Sequence, residues 1–172
     1  GAAEIRDCYA KDSDGDAAYG GGISDNGEAF QISGNVRITG CTASGGGMDA
    51  VSMDTGSVIS GGTFDGSVQN TGTISGGTFN GRVVNSNMIT DGIFNGEVVN
   101  DYGTISGGTF NGVVTNYSTI TEGAISGITV TYQVKGGVYA TQLVPSGSAA
   151  TKPVDPTVSS GAAFLGWYRA DG

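Results

Sequence analysis

The sequence predicts an all-β protein, a parallel β-solenoid (β-helix) followed by a second, small C-terminal unit. Three observations lead there: a segment repeated at a fixed period, a composition rich in glycine yet poor in proline, and a C-terminal stretch where the repeat stops. The repeat weighs most, because a fixed period changes how every other feature is read. From residue 58 the chain reads VISGGTFDGSVQN, TISGGTFNGRVVN, MITDGIFNGEVVN, TISGGTFNGVVTN and TITEGAISGITVT. Ile59, Ile74, Ile89, Ile105 and Ile120 are spaced by 15, 15, 16 and 15 residues, and Phe64, Phe79, Phe94 and Phe110 keep step, with Ile125 in the fifth slot.

Each copy holds short runs of Ile, Thr, Phe and Val broken by Gly-Gly and Asn-Gly, the punctuation of strands and tight turns. No helical i, i+3, i+4 stripe is present. So short a unit cannot bury its own apolar face and must stack on its neighbours, each rung about 4.8 Å from the next. Stacking predicts three internal columns: the Ile set, the Phe set, and Val68, Val83, Val98 and Val114. Two positions beyond each Val stand Asn70, Asn85, Asn100 and Asn116, which period-2 alternation puts on the same face. They read either as a structural hydrogen-bonded ladder or as a row of ligand contacts, with stacking logic favouring the ladder. Positions flanking the Val column vary as outward positions should, and Arg82 and Glu97 fall on adjacent rungs as an opposite-charge pair. The single 16-residue step has its extra residue within Asp101, Tyr102 and Gly103, which predicts a corner.

The front end repeats more loosely. IRDCYA at 5–10 returns as ITGCTA at 38–43, an offset of 33, whereas the glycine triplets at 20–22 and 45–47 are offset by 25. The difference falls at KDSDGDAA, so wide coils of about 25 residues carrying an acidic insertion are expected to about residue 58, and 15-residue coils from 59 to 127. Cys8 and Cys41 would then lie on neighbouring rungs, about 5 Å apart between Cα atoms, as a disulfide or as stacked free thiols. This front segment, in Gly20-Gly21-Gly22-Ile23, Phe30 and Ile32-Ser33-Gly34-Asn35, resembles the repeats of bacterial autotransporter-like, adhesin-like and polymorphic outer-membrane β-helices.

From residue 128 the pattern changes. ITVTYQV alternates as a half-buried strand does, and Pro145, Pro153, Pro156 and Trp167 all follow, which predicts a second unit over 128–172. Val134, Gly136-Gly137, Val144, Gly147, Pro153, Pro156, Phe164-Leu165-Gly166-Trp167-Tyr168 and Asp171 resemble the Listeria–Bacteroides repeat, the internalin B-repeat type. The resemblance implies a small β-grasp-like module, and because that family continues to a further strand beyond this point, the module here is expected to be incomplete. The resemblance implies a bacterial surface protein, extracellular, with a spacing or adhesive role and no catalysis. Trp167 and Tyr168 read as the small module's core or as a platform for sugar.

Charge limits the function classes. Seven Lys and Arg against 16 Asp and Glu give −9, and there is no His. An acidic chain without a basic stripe lacks the means to neutralise phosphates, so neither nucleic acid nor an anionic membrane is an expected partner. No run approaches the roughly 20 apolar residues of a membrane helix. No leader peptide is present, so a secreted protein would have lost it, and Gly1 could be a remnant of tag cleavage.

A β-helix enzyme acting on polysaccharide needs paired carboxylates on one groove face. Asp49 with Asp54, or Asp65 with Asp91, are the pairs to test, but Asp65 and Asp91 do not share a slot. Absence of His removes a nucleophile–His relay. The expectation is a non-enzyme whose loops contact a host glycan or protein, with a carbohydrate-active enzyme or lectin as the alternative. No cofactor is expected beyond Ca²⁺, for which Asp12, Asp14 and Asp16 alternate as hard oxygen donors around Gly15; the competing reading is a solvated acidic loop. An ice-binding face would need unbroken threonine rows, and Val58, Met88 and Ile93 interrupt them.

Overall fold

The structure is a computed structural model, and it describes residues 2–10, 21–24, 27–43, 47–121, 128–134, 137–144, 150–157 and Gly166. The described residues form strands and no helix, wound as a parallel β-solenoid of about four turns. In chain order the strands are β1 (Ala3–Arg6), β2 (Tyr9–Ala10), β3 (Ile23–Ser24), β4 (Gln31–Ile32), β5 (Val36–Thr39), β6 (Thr42–Ala43) and β7 (Val51–Met53). The regular coils supply β8 (Val58–Phe64), β9 (Val68–Asn70), β10 (Thr73–Phe79), β11 (Val83–Asn85), β12 (Met88–Phe94), β13 (Val98–Asn100), β14 (Thr104–Ile105), β15 (Thr109–Phe110), β16 (Val114–Asn116) and β17 (Thr119–Ile120). A hairpin of β18 (Ile128–Val134) and β19 (Gly137–Val144) follows.

Like residues pair with like across the coils. Ile74 is in register with Ile59 and Ile89, Phe79 with Phe64 and Phe94, and Val83 with Val68 and Val98. One sheet runs through β1, β5, β8, β10, β12, β14 and β17, and a second through β3, β7, β9, β11, β13 and β16. The coil narrows as the repeats predict. Ala3 pairs with Val36 and Ile5 with Ile38, an offset of 33; Gln31 pairs with Val58 and Ile23 with Val51, offsets of 27 and 28; Thr73 pairs with Val58, an offset of 15. The wide coil is thus a little longer than the glycine triplets suggest.

Glycine pairs shape the interior. Ile59 and Phe64 are five residues apart and both fully buried, whereas an unbroken strand would send them to opposite faces. The strand bends between them at Gly61-Gly62, and its register shifts there. The second glycine of each pair takes a left-handed φ, +99° at Gly62, +107° at Gly77, +135° at Gly92 and +120° at Gly108, which a side chain resists. Asp91 replaces the first glycine of the third pair, where no such φ is required. At the next corner backbones stack directly: a Cβ on Gly96 would stand 2.2 Å from the Gly81 carbonyl oxygen.

Bending brings three apolar columns into one core. Phe64, Phe79, Phe94 and Phe110 form a parallel stack with centroid separations of 4.9, 4.9 and 4.7 Å and interplanar angles of 7–8°. Ile59, Ile74, Ile89 and Ile105 and the four valines complete it, all without exposed surface. Arg82 and Glu97 do meet on the outside, at 3.2 Å. Asp101, Tyr102 and Gly103 occupy the corner between β13 and β14, where an extra residue leaves the ladders intact.

The ITVTYQV segment is the strand β18, and its hairpin partner β19 pairs antiparallel with β16. The second sheet therefore continues from the solenoid into the hairpin, and the outer edge of β16 is covered. Exposed strand edges invite pairing with other chains, so the antiparallel strand closes this one. Buried Gln142 on β19 fastens the following segment: its amide nitrogen donates to the Thr151 carbonyl and its oxygen accepts from the Thr151 amide at 2.9 Å.

Candidate binding surface

A concavity of about 720 Å³ runs along the glycine-pair corner of successive coils. Its floor is glycine backbone, including Gly62 and Gly77, and Thr63, Thr78, Ile93 and Thr109 stand along one side. Small residues leave this corner open because the left-handed bend excludes larger ones. Hydroxyls, backbone groups and one exposed isoleucine make an almost uncharged surface, with Arg37 and Asp91 as its charged members.

The carboxylates weighed for polysaccharide chemistry are each held by local structure. Asp65 binds Arg37 at 2.9 Å and accepts from Asn80 Nδ2 at 2.6 Å. Asp91 accepts from the Gly92 amide at 2.8 Å, Asp54 from the Gly27 amide at 3.2 Å, and Asp49 from the Ala43 amide at 3.2 Å and the Ser67 hydroxyl at 3.3 Å.

Asp65 begins a column that sequence reasoning missed. Asn95 Nδ2 donates to Asn80 Oδ1 at 2.8 Å and Asn111 Nδ2 to Asn95 Oδ1 at 2.7 Å, so an exposed amide ladder runs from Asp65 over four coils. The signal was the residue before each corner glycine, Asp, Asn, Asn and Asn, which reads as turn chemistry alone until the coils are stacked. The Asn80 and Arg37 hydrogen bonds hold the Asp65 carboxyl below the usual carboxylate range. A depressed native pKa gives stability that is complete above the unfolded value, near 3.8, and is lost as pH falls from there through the native value. Asp65→Asn is therefore expected to remove part of the acid sensitivity. Melting temperatures of the two proteins at about pH 6 and about pH 2.5 check this, and an equal acid-induced fall in both would refute it.

The inner asparagines are structural. Asn70, Asn85 and Asn100 are fully buried; Asn70 Nδ2 donates to Asn85 Oδ1 at 2.6 Å, Asn85 to Asn100 at 2.7 Å and Asn100 to Asn116 at 2.6 Å. Second protons reach backbone carbonyls, from Asn70 to Met88 and from Asn100 to Thr119, each at 3.0 Å. Asn116 extends the chain to the Thr141 hydroxyl of the hairpin at 3.4 Å. Closed to solvent, the first three offer nothing to a ligand.

Cys8 and Cys41 are free thiols on adjacent rungs, with Tyr9 paired to Thr42 and the Thr42 amide donating to the Cys8 carbonyl at 2.8 Å. Burial raises the Cys41 pKa. Asp12, Asp14 and Asp16, and likewise Trp167 and Tyr168, lie outside the described residues. Among the described residues no three His, Cys, Asp or Glu side chains gather as a metal site, and no helix is long and apolar enough to cross a membrane.

Fold and surface together define a parallel β-solenoid protein. Compared with known proteins, the chain matches no family model, and no curated protein or solved structure matches it significantly.

Proposed function

We propose that this chain is a non-catalytic structural or adhesin-like module of a bacterial cell surface, an extracellular rod that spaces or presents neighbouring domains and touches host glycan or protein. The observation that carries the reading is the unbroken set of Ile, Phe, Val and Asn columns through the regular coils. Such a core resists bending and leaves the outward side chains to vary. Its closeness to autotransporter-like and adhesin-like repeats in front, and to the Listeria–Bacteroides repeat behind, rests on the Gly-rich and Phe-Leu-Gly-Trp-Tyr motifs. The tethering of Asp49, Asp54, Asp65 and Asp91 within turns and ladders agrees with a scaffold.

A single-turnover assay on bacterial and plant polysaccharides, run beside a glycan array, tests the proposal. A rod that spaces or adheres releases no oligosaccharide from any of them. Cleavage of one would overturn the reading.

A further inference from the structure

Where the last described coil meets the hairpin, tyrosines from three segments line one depression. Tyr102 stands in the corner with the extra residue and is 79% exposed, a costly place for an aromatic ring with no packing role. Tyr117 comes from the equivalent corner one coil later, fixed by its amide's hydrogen bond to the Asn100 carbonyl at 2.9 Å. Tyr139 comes from β19, its ring centroid 6.0 Å from that of Tyr117 and its plane at 77°, so the two rings form perpendicular walls. Asp101 adds a carboxylate, and Ser118 and Val154 complete the lining. The depression encloses about 460 Å³, within the range of about 300–1,000 Å³ usual for small-ligand sites.

We propose that this three-tyrosine depression with Asp101 binds a methylated ammonium group, the head of a choline-type or trimethylated amine. Aromatic faces attract a cation through their quadrupole, and the attraction is strongest for cations too weakly hydrated to prefer water. Methyl groups around nitrogen supply that weak hydration together with apolar contact for the rings. The local field has the matching sign: among the described residues no Lys or Arg lines the depression, and Asp101 and Glu97 add to burial in raising the Tyr117 pKa. Anionic ligands are disfavoured by the same field on a chain of net charge −9. The proposal goes beyond the rod reading, which stands whether or not the depression binds anything.

The test is an NMR titration of the whole chain with tetramethylammonium chloride and choline chloride, at ionic strength held constant with NaCl. Saturable shifts are expected at Tyr102, Tyr117 and Tyr139, with ammonium chloride and methyl α-glucoside giving much weaker ones. Tyr102→Ala is expected to weaken binding about three- to thirty-fold, and Asp101→Asn to weaken it and flatten its salt dependence. Tyr9→Ala, 65% exposed at the other end, is expected to change nothing. Lack of saturation by either methylated cation, equal affinity in the Tyr102→Ala protein, or tighter binding of the neutral sugar would overturn the proposal. Unchanged melting of these surface variants separates lost binding from lost fold.

Discussion

Phe79→Ala is expected to lower the free energy of unfolding by about 3–5 kcal/mol, the range for truncating a buried Phe. Phe79 is 1% exposed and lies between Phe64 and Phe94, each 4.9 Å away in near-parallel stacking, so its removal opens a gap inside a continuous column. Collapse cannot fill that gap cheaply, because the rungs above and below are held at fixed height by backbone pairing. In a solenoid each coil leans only on its neighbours, so the damage should concentrate at the middle coils and broaden the transition. Phe110→Ala, at the column's 8% exposed end with one stacked neighbour among the described residues, should cost less. Urea unfolding followed by far-ultraviolet circular dichroism measures both. A loss below about 1 kcal/mol for Phe79→Ala would mean that the stack does not bear the core.

Asn85→Leu is expected to cost about 2–4 kcal/mol although leucine is more apolar. Asn85 accepts from Asn70 at 2.6 Å and donates to Asn100 at 2.7 Å; removing its amide leaves Asn100 Oδ1 without its ladder donor in a dry interior. An orphaned buried polar group costs about 1–3 kcal/mol, and two groups are disturbed here. Asn70 keeps its bond to the Met88 carbonyl, which sets the upper bound. Asn85→Asp gives a sharper signature. Its carboxylate would face the Asn100 oxygen as acceptor against acceptor, so burial would favour the protonated acid and raise its native pKa. For a raised carboxyl pKa, stability is lost as pH climbs above the unfolded value of about 3.9. The gap between variant and parent in chemical melts should therefore widen from about pH 3 to about pH 7. A gap that stays constant would show that Asn85 is not enclosed as described.

Most of the scaffold was legible because repetition states register directly. A period of 15 says which Ile meets which Ile, and parallel stacking follows without any further information. Cys8 and Cys41 were placed on neighbouring rungs by the same arithmetic. The binding surface was far less legible. The Asp65, Asn80, Asn95 and Asn111 column hid behind turn chemistry, since an Asn-Gly corner explains itself locally. The tyrosine depression could not be found by spacing at all: Tyr102 and Tyr117 belong to different corners, and Tyr139 to a hairpin outside the repeat.

By itself, then, the chain determined its own stacking: the period, the three apolar columns, the inner Asn ladder and the narrowing of the coils are properties of one coil meeting its copy. Two matters were decided only in three dimensions. One is the left-handed bend at Gly62, Gly77, Gly92 and Gly108, which lets residues five apart share an interior. The other is the seating of β19 on β16, which extends the solenoid's second sheet into the hairpin. The physical reason is the same in both cases. Repetition encodes contacts between equivalent residues, whereas a strand's change of face and the covering of a sheet edge depend on partners that have no copy in the repeat.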